Sequence, residues 1–553
     1  MAESPPADPP TMPAEPPTSP AEPPKPVPTL VYAGPSMREA SEQLAGKKDT
    51  FKEGGGADRV ERQRSLGKLT VRERLDLLFE KGSFDELGLL AHHQATSPQM
   101  QGKFTPADGC ITGVGRIDGR RVAVIAYDFT VMAGSIGMVG EIKASRMREL
   151  ALRERIPLVW LIDSAGARIQ EAAGSMFART GDLFREQVHM SGVIPQVAAM
   201  MGPGAAGTAY IPGLADFVPM VKGTSNMALG GPPLVKAAVG EVVTAEEMGG
   251  SAVHCKVSGV ADLEVADDRE CIDVVRTYLG YFPSSNLEQP PVADTEDPPE
   301  RSCDDLLDLV PANPRQAYDM RKLVKSIADD GEFFPMKPDW ARNLVTGFAR
   351  FGGRPAGIVA NQPMFLGGAL DVNAADKAAR FVWLCDAFHI PLVFLMDCPG
   401  FLVGSAVEKQ GIIRHGAKML FAVAEATVPK VTVVVRKGYG AGYYVMNGRA
   451  YEPDWIVAWP TAEISVMGPE GAVNIIFRKQ IEAAGDQDAQ DALRNQMIAT
   501  VREQISPYVA AGWGFVDDLI APQDTRKAIV RGLELGASKH VERPWRKHGV
   551  LPV

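Results

Sequence analysis

Continuous apolar runs alternate along this chain with stretches whose small and apolar residues recur three and four positions apart. The run PLVWLID ends at Asp163 and goes straight into Ser164-Ala165-Gly166. The run PLVFLMD ends at Asp397 and goes into Cys398-Pro399-Gly400. Apolar runs of this length predict strands buried on both faces, and the three-and-four spacing predicts helices. The helices fall at about Met138–Arg155 and Asn373–Phe388, each just before one of these strands. A second pair of apolar runs, IPQVAAMMG and VPKVTVVVR, ends in the Gly/Ala-rich turns GPGAAGTAY and KGYGAGYY. β-rich segments with a Gly-Arg turn open each set (ITGVGRIDGRRVAVIAYD and VTGFARFGGRPAGIVANQ). Apolar strands alternating with helices imply an α/β layered fold. A helical segment over about 36–90 precedes the first set.

The two sets are copies of one another. Asp163 and Asp397 stand 397 − 163 = 234 positions apart. The same offset relates Thr112-Gly113 to Thr346-Gly347, Gly119-Arg120 to Gly353-Arg354, and Gly134 to Gly368. It also relates Lys143 to Lys377, Arg146 to Arg380, and Pro195 to Pro429. A register held without a gap over about eighty residues marks an internal duplication. The expected organisation is a proline-rich tail (1–34), a first domain (35–295), a Pro- and acid-rich linker (296–315) and a second domain (316–553).

Composition narrows the function. The 553 residues carry a formal net charge of −10 and are 45% hydrophobic, with mean hydropathy −0.07. An acidic surface argues against non-specific nucleic-acid binding, which needs cations to displace counterions. No apolar run reaches the roughly 18 residues of a membrane span. The N-terminus lacks a basic start and an apolar core, so it is not a signal peptide, and its first 28 residues contain no Arg. A cytoplasmic location is expected, with the tail a solvated extension. Six scattered cysteines, with no CxxC pair, read as buried free thiols in a reducing compartment.

Candidate chemistry sits in the turns. A strand, a Gly/Ala-rich turn and a helix together present backbone N–H groups at a helix N-terminus, where partial positive charge favours an anion. Each half has two such turns: Ser164-Ala165-Gly166 and Gly204-Ala205-Ala206-Gly207, then Cys398-Pro399-Gly400 and Gly440-Ala441-Gly442. Any one alone reads more readily as a plain tight turn. No GxSxG, GxxxxGK[ST] or HExxH motif occurs, and His389 and His415 read as structural residues. Paired oxyanion-type turns without an obvious side-chain base point to enolate stabilisation, with the proton acceptor supplied by a cofactor.

Long motifs then resemble one family. They are DSAGARIQE (Asp163–Glu171), SGVIPQ (Ser191–Gln196), TGFARFGGRPAGIVANQP (Thr346–Pro363) and GIIRHGAKMLFAVAEATVPKVTVVVRK (Gly411–Lys437). WPTAEISVMGPEGAVNIIFR (Trp459–Arg478) and ASKHVERPWRKH (Ala537–His548) extend the likeness. The chain resembles the carboxyltransferase (β) subunits of biotin-dependent acyl-CoA carboxylases, propionyl-CoA carboxylase among them, over nearly all of it after the tail. The resemblance implies a tandem pair of crotonase-like domains. It implies that the first half binds acyl-CoA and the second half of a neighbouring protomer binds carboxybiotin, in a hexamer. The thioester oxygen would be held as an enolate by the amides of Ala165 and Gly166, with Gly204, Ala206 and Gly207 on the acyl-CoA side. The biotin ureido oxygen would be held by Ala441 and Gly442, with Pro399 and Gly400 beside them, and the ureido group would remove the α-proton. Propionyl-type enzymes carry Asp where this chain has Tyr444, so Tyr444 is expected to reshape the acyl pocket. Biotin is expected on a partner biotin carboxylase/biotin carrier α subunit, because no AMKM-type attachment site occurs here; no metal is expected.

Three rivals remain at this stage. A biotin-dependent acyl-CoA decarboxylase would run the same transfer in reverse, and a scaffold subunit would lack catalysis. A crotonase-type hydratase would need a carboxylate pair, for which Glu171 is the one nearby candidate. Arg168, Lys143 and Lys377 are conceivable CoA-phosphate contacts, with structural ion pairing the favoured reading for each.

Overall fold

The computed structural model describes residues 34–552 apart from Ala173, Met176, Phe177, Arg179 and Thr180. Except for Gly34, the expected proline-rich tail lies outside the described residues. Among the described residues, 48–552 form one compact unit holding both sheets, and 34–47 are assigned to another. The helices Met37–Lys52, Ala57–Ser65 and Val71–Leu78 occupy the expected helical segment. The last starts at a capping box in which Thr70 and Glu73 satisfy each other's backbone N–H groups.

The first sheet contains β1 (Asp85–Leu87), β2 (Cys110–Ile117), β3 (Arg120–Tyr127), β4 (Leu158–Ser164), β5 (Gln196–Ala205), β6 (Pro219–Val221), β7 (Asn226–Ala228) and β8 (Leu263–Val265). Its order is β1-β2-β3-β4-β5-β6-β8, with β7 paired to the end of β5. The second contains β9 (Phe334–Met336), β10 (Leu344–Phe351), β11 (Arg354–Asn361), β12 (Leu392–Cys398), β13 (Lys430–Tyr439), β14 (Trp455–Ala458), β15 (Glu463–Ser465) and β16 (Asp518–Leu519). Its order is β16-β14-β13-β12-β11-β10-β9, with β15 on β13. In both, an antiparallel entry feeds a parallel core.

The duplication is carried to the level of register. The bounds of β2 to β5 coincide with those of β10 to β13 after the 234-residue offset. Cys110 opposes Tyr127 as Leu344 opposes Asn361, and Leu158 opposes Gln196 as Leu392 opposes Lys430. Even the local irregularity repeats, between Ile162 and Ser164 and between Met396 and Cys398. The helices fall at Met138–Glu154 and Val372–Ala387. β4 and β12 are buried along their whole length, the reason they read as unbroken apolar runs rather than alternating ones.

A continuous apolar core runs across both halves. Phe217 of the first half stacks on Tyr278 with ring centroids 4.4 Å apart, and Phe282 meets Phe348 of the second at 5.2 Å. Lys143 and Lys377 feed this architecture. Lys143 Nζ donates to the carbonyls of Ala107 and Cys110, at 2.9 and 2.5 Å. Lys377 Nζ donates to those of Lys337, Trp340, Ala341 and Leu344 at 2.7–3.3 Å. Lys143 directs two of its three N–H donors to backbone carbonyls, and Lys377 is surrounded by four such carbonyls, so both serve the fold.

Candidate active site

β4 and β12 each end in a turn that L side chains resist. Gly166 has φ +90° and Gly400 has φ +118°, left-handed values that glycine adopts without strain. A Cβ on Gly166 would stand 2.8 Å from the Ala205 carbonyl oxygen. The same staple locks both turns: Ile136 N–H donates to Gly166 O at 2.8 Å and Arg168 N–H to Ile136 O at 2.9 Å. In the second half Leu370 N–H donates to Gly400 O at 3.0 Å and Leu402 N–H to Leu370 O at 2.8 Å. The copies differ at one bond. Ala165 N–H donates to Ala133 O at 3.0 Å, whereas its equivalent Pro399 has no N–H to give. Gly166 N–H takes the Ser164 hydroxyl as acceptor at 3.1 Å.

β5 and β13 end in a second pair of turns. Ala206 (φ +54°) and Gly440 (φ +56°) occupy the same left-handed position, a strained one for alanine. The helices Gly207–Leu214 and Gly440–Val445 follow. Gly204 pairs with Ser164 across the sheet, so the structure brings Ala165 and Gly166 together with Gly204, Ala206 and Gly207. In the second half, a Cβ on Gly442 would stand 2.5 Å from Cys398 Sγ and 2.9 Å from Gly400 Cα. Gly400 and Cys398 are therefore packed against Gly442. Ala441 and Gly442 lie in the first turn of their helix, where α-helical geometry leaves N–H groups without an intrahelical acceptor. Tyr444 is about half exposed at 48%, its ring stacked on Tyr451 with centroids 6.3 Å apart.

Each turn rests on a buried carboxylate, paired differently in the two copies. Asp163 accepts from Lys68 Nζ at 2.6 Å, Arg74 at 2.9 Å and Gln63 at 3.0 Å. Arg74 also bonds Asp268 at 2.8 Å. Burial pulls the Lys68 ammonium down, with Asp163 opposing it. Asp397 is instead held by Arg436, at 2.9 and 3.0 Å. Position 436 corresponds to Gly202, and a Cβ on Gly202 would overlap the Asp163 carboxylate. The first half thus imports its cations from the N-terminal helices, and glycine makes room for them. The second half supplies its own from β13.

Other charged candidates are tied down. Arg168 is buried against Asp108 (2.5 Å), Glu171 (2.8 Å) and the carbonyls of Asp108 and Ser135. Glu171 also accepts from Met138 N–H at 2.9 Å. His389 bonds the Asn286 carbonyl at 2.8 Å and His415 bonds Asp376 at 2.8 Å. All six cysteines are buried and free, and burial pushes the Cys398 thiol up to about 12. Among the described residues, no helix is long and apolar enough to cross a membrane. Reading from sequence named the turns but not the Gly202/Arg436 exchange or the Ala133 acceptor. The exchange was within reach, because it lies on the same 234-residue offset.

The Carboxyl transferase domain family matches residues 62–551. The chain belongs to this carboxyltransferase family. It is 44% identical over 519 residues to a propionyl-CoA carboxylase carboxyltransferase subunit of Haloferax mediterranei, covering 94% of this chain and 100% of that one. It is 46% identical over 518 residues to a methylmalonyl-CoA decarboxylase subunit alpha of Veillonella parvula, with the same coverage. The crystal structure of transcarboxylase 12S, described as a hexamer assembly with methylmalonyl-coenzyme A and methylmalonic acid bound, superposes with a TM-score of 0.90. That likeness has 45% identity and covers 94% of this carboxyltransferase and 99% of the other chain. The paired halves accord with tandem crotonase-like domains.

Proposed function

We propose that this carboxyltransferase moves a carboxyl group from carboxybiotin to the α-carbon of a short- or medium-chain acyl-CoA such as propionyl- or acetyl-CoA. The carboxybiotin is presented by a partner biotin carboxylase/biotin carrier subunit. One observation carries the reading: each half holds a cluster of two packed turns built around backbone N–H groups at the ends of equivalent strands. Glu171, the carboxylate a hydratase would need, is committed to Arg168 and Met138 N–H.

Carboxybiotin is a substrate of this reaction and supplies the carboxyl group and the proton acceptor. The chain's own groups bind and polarise. On the acyl side Gly166 N–H exchanges the Ser164 hydroxyl, which rotates away, for the thioester oxygen. Ala165 N–H shares its charge between that oxygen and Ala133 O. Gly204, Ala206 and Gly207 line the same cluster. On the biotin side Ala441 and Gly442 direct their N–H groups at the ureido oxygen, with Pro399 and Gly400 as the adjoining wall. The donor set fits an amide oxygen, and the neutral Cys398 thiol brings no competing anion. Each such donor is worth about 3 kcal/mol in the barrier.

The two clusters lie on different sheets, and a second copy of the chain completes the site. Ile169 and Val403 follow the β4 and β12 turns at equivalent positions and are 73% and 91% exposed. The 45% identity to transcarboxylase 12S, described as a hexamer assembly, supports a hexamer whose protomers share active sites. Identities of 44% and 46% to a carboxylase and a decarboxylase subunit fit one shared transfer run in either direction. Tyr444 shapes the acyl pocket, and Tyr444→Asp is expected to change the preferred acyl-CoA; an unchanged preference removes it from that role.

The test runs the transfer backwards. The purified oligomer is given malonyl-, methylmalonyl- and methylglutaconyl-CoA with and without free biotin. Biotin-dependent decarboxylation of one ester is expected and names the acyl group. A folded oligomer that turns over none of them contradicts the proposal.

A further inference from the structure

The second turn has a brace that the first lacks. Tyr439, the last residue of β13, stands where β5 has Ala205. It is 6% exposed, and its phenol donates a hydrogen bond to the carboxylate of Glu463 on β15. Arg502 of the helix Gln487–Gln504 approaches the same carboxylate at 3.4 Å. It also approaches Glu470, on the helix Pro469–Ile476, at 3.1 Å. The Tyr439 ring is confined, since a Cβ on Gly468 would come within 3.1 Å of its edge. The next residue is the left-handed Gly440, where a Cβ would stand 3.0 Å from Val466 O. Burial, and then Glu463, raise the phenol further above its ordinary range, so it remains a donor.

The physical need for a brace follows from the duplication. The β4 turn is held by Ala165 N–H on Ala133 O, a bond that Pro399 removes from the β12 turn, so the surface on which Gly442 of the β13 turn packs is less firmly held. A turn that must aim two N–H groups at a developing oxyanion within about 2.7–3.1 Å needs some other fixing. We propose that Tyr439, through Glu463, is a positioning residue that fixes the direction of the Ala441 and Gly442 N–H groups. Arg502 extends the brace to the helical segment 469–504. This rests on the reading that the Gly440-Ala441-Gly442 turn holds the ureido oxygen.

The test uses Tyr439→Phe, Glu463→Gln and Ala441→Pro in the full-length oligomer, each assayed by biotin-dependent decarboxylation. Phenylalanine keeps the packed ring and removes only the O–H. Its kcat is expected to fall roughly ten- to a hundredfold, the scale of a small misplacement of catalytic groups. The KM for acyl-CoA stays unchanged, and the melting temperature stays within about 2 °C of wild type. Glu463→Gln still accepts the phenol hydrogen and is expected to keep most of the turnover. Ala441→Pro deletes one N–H in the first helical turn, where proline is tolerated, and is expected to be inactive. An active Ala441→Pro enzyme overturns the assignment of the turn itself. An inactive Ala441→Pro with a fully active Tyr439→Phe overturns the brace alone. So does a Tyr439→Phe enzyme whose lost kcat comes with an equal rise in acyl-CoA KM and a collapsed thermal transition.

Discussion

Replacing Arg436 with methionine strands the Asp397 carboxylate beneath the β12 turn. Arg436 makes two contacts with Asp397, at 2.9 and 3.0 Å, and Asp397 is fully buried. The remaining partner in the site is Lys437 N–H at 3.3 Å. An unpaired buried charge costs about 3–5 kcal/mol, but the carboxyl has an escape, since it can take up a proton. Protonating an aspartate of ordinary pKa near 3.9 at pH 7 costs about 4 kcal/mol, which caps the loss. Arg436 also donates to Gln316 O at 3.0 Å and lies over the Tyr318 ring at 5.0 Å, adding about 1 kcal/mol. For a chain of this size the combined loss of about 4–5 kcal/mol lowers the melting temperature by roughly 3–4 °C. The sign with pH follows. The variant's carboxyl has a raised folded pKa, so the deficit is full near neutrality and shrinks as pH falls towards 4. Scanning calorimetry of both proteins at pH 7 and pH 5 measures it. A melting difference under about 1 °C at pH 7, or one that grows on acidification, shows that Arg436 does not hold the Asp397 charge.

Arg74→Met removes the corresponding cation from the first half, but Lys68 and Gln63 stay on Asp163 and Leu69 N–H on Asp268. Its cost in the same calorimetry is expected near 3 kcal/mol, and it raises the KM for acyl-CoA rather than for biotin. Ala206→Gly relieves a residue held at φ +54° and is expected to gain about 1 kcal/mol after the entropy cost of glycine; a lower melting temperature contradicts the strain. Burial raises Asp216 to about 6, against the opposing Gln196 N–H and Arg380. Its folded pKa exceeds the unfolded one, so its favourable contribution is full below about pH 4 and lost as pH rises through 6. Asp216→Asn, which still accepts from Gln196 N–H, is expected to gain roughly 1–3 kcal/mol on wild type between pH 4 and 7. A constant melting gap across that range argues against it.

Much of this architecture was written in the chain. Strands buried on both faces leave unbroken apolar runs, so β4, β5, β12 and β13 were visible, and the 234-residue offset located their turns. Helix limits fell within a residue of expectation at Glu154 and Ala387. What stayed hidden depends on partners distant in sequence. Lys68 and Arg74 reach Asp163 across 95 and 89 residues, and nothing local marks them. Ala165 and Pro399 sit in equivalent small-residue turns, and the resemblance gave a donor role to Ala165 alone. The distinction is one backbone N–H, which matters only once Ala133 O is seen to lie opposite. Past β5 the offset fails, since β7 begins at Asn226 and β15 at Glu463, so the Tyr439 contact could not be read from the repeat.

Carboxyl transfer is expected to need the β4 turn of one protomer and the β13 turn of another. Gly166→Ala places a Cβ 2.8 Å from Ala205 O and disables the first turn; Ala441→Pro disables the second. Each variant alone is expected to be an inactive oligomer. Co-expressed and purified as a mixed oligomer, they bring together an intact acyl turn from one chain and an intact biotin turn from its neighbour, and biotin-dependent decarboxylation returns. A mixed oligomer that forms and stays as inactive as its parents contradicts the claim.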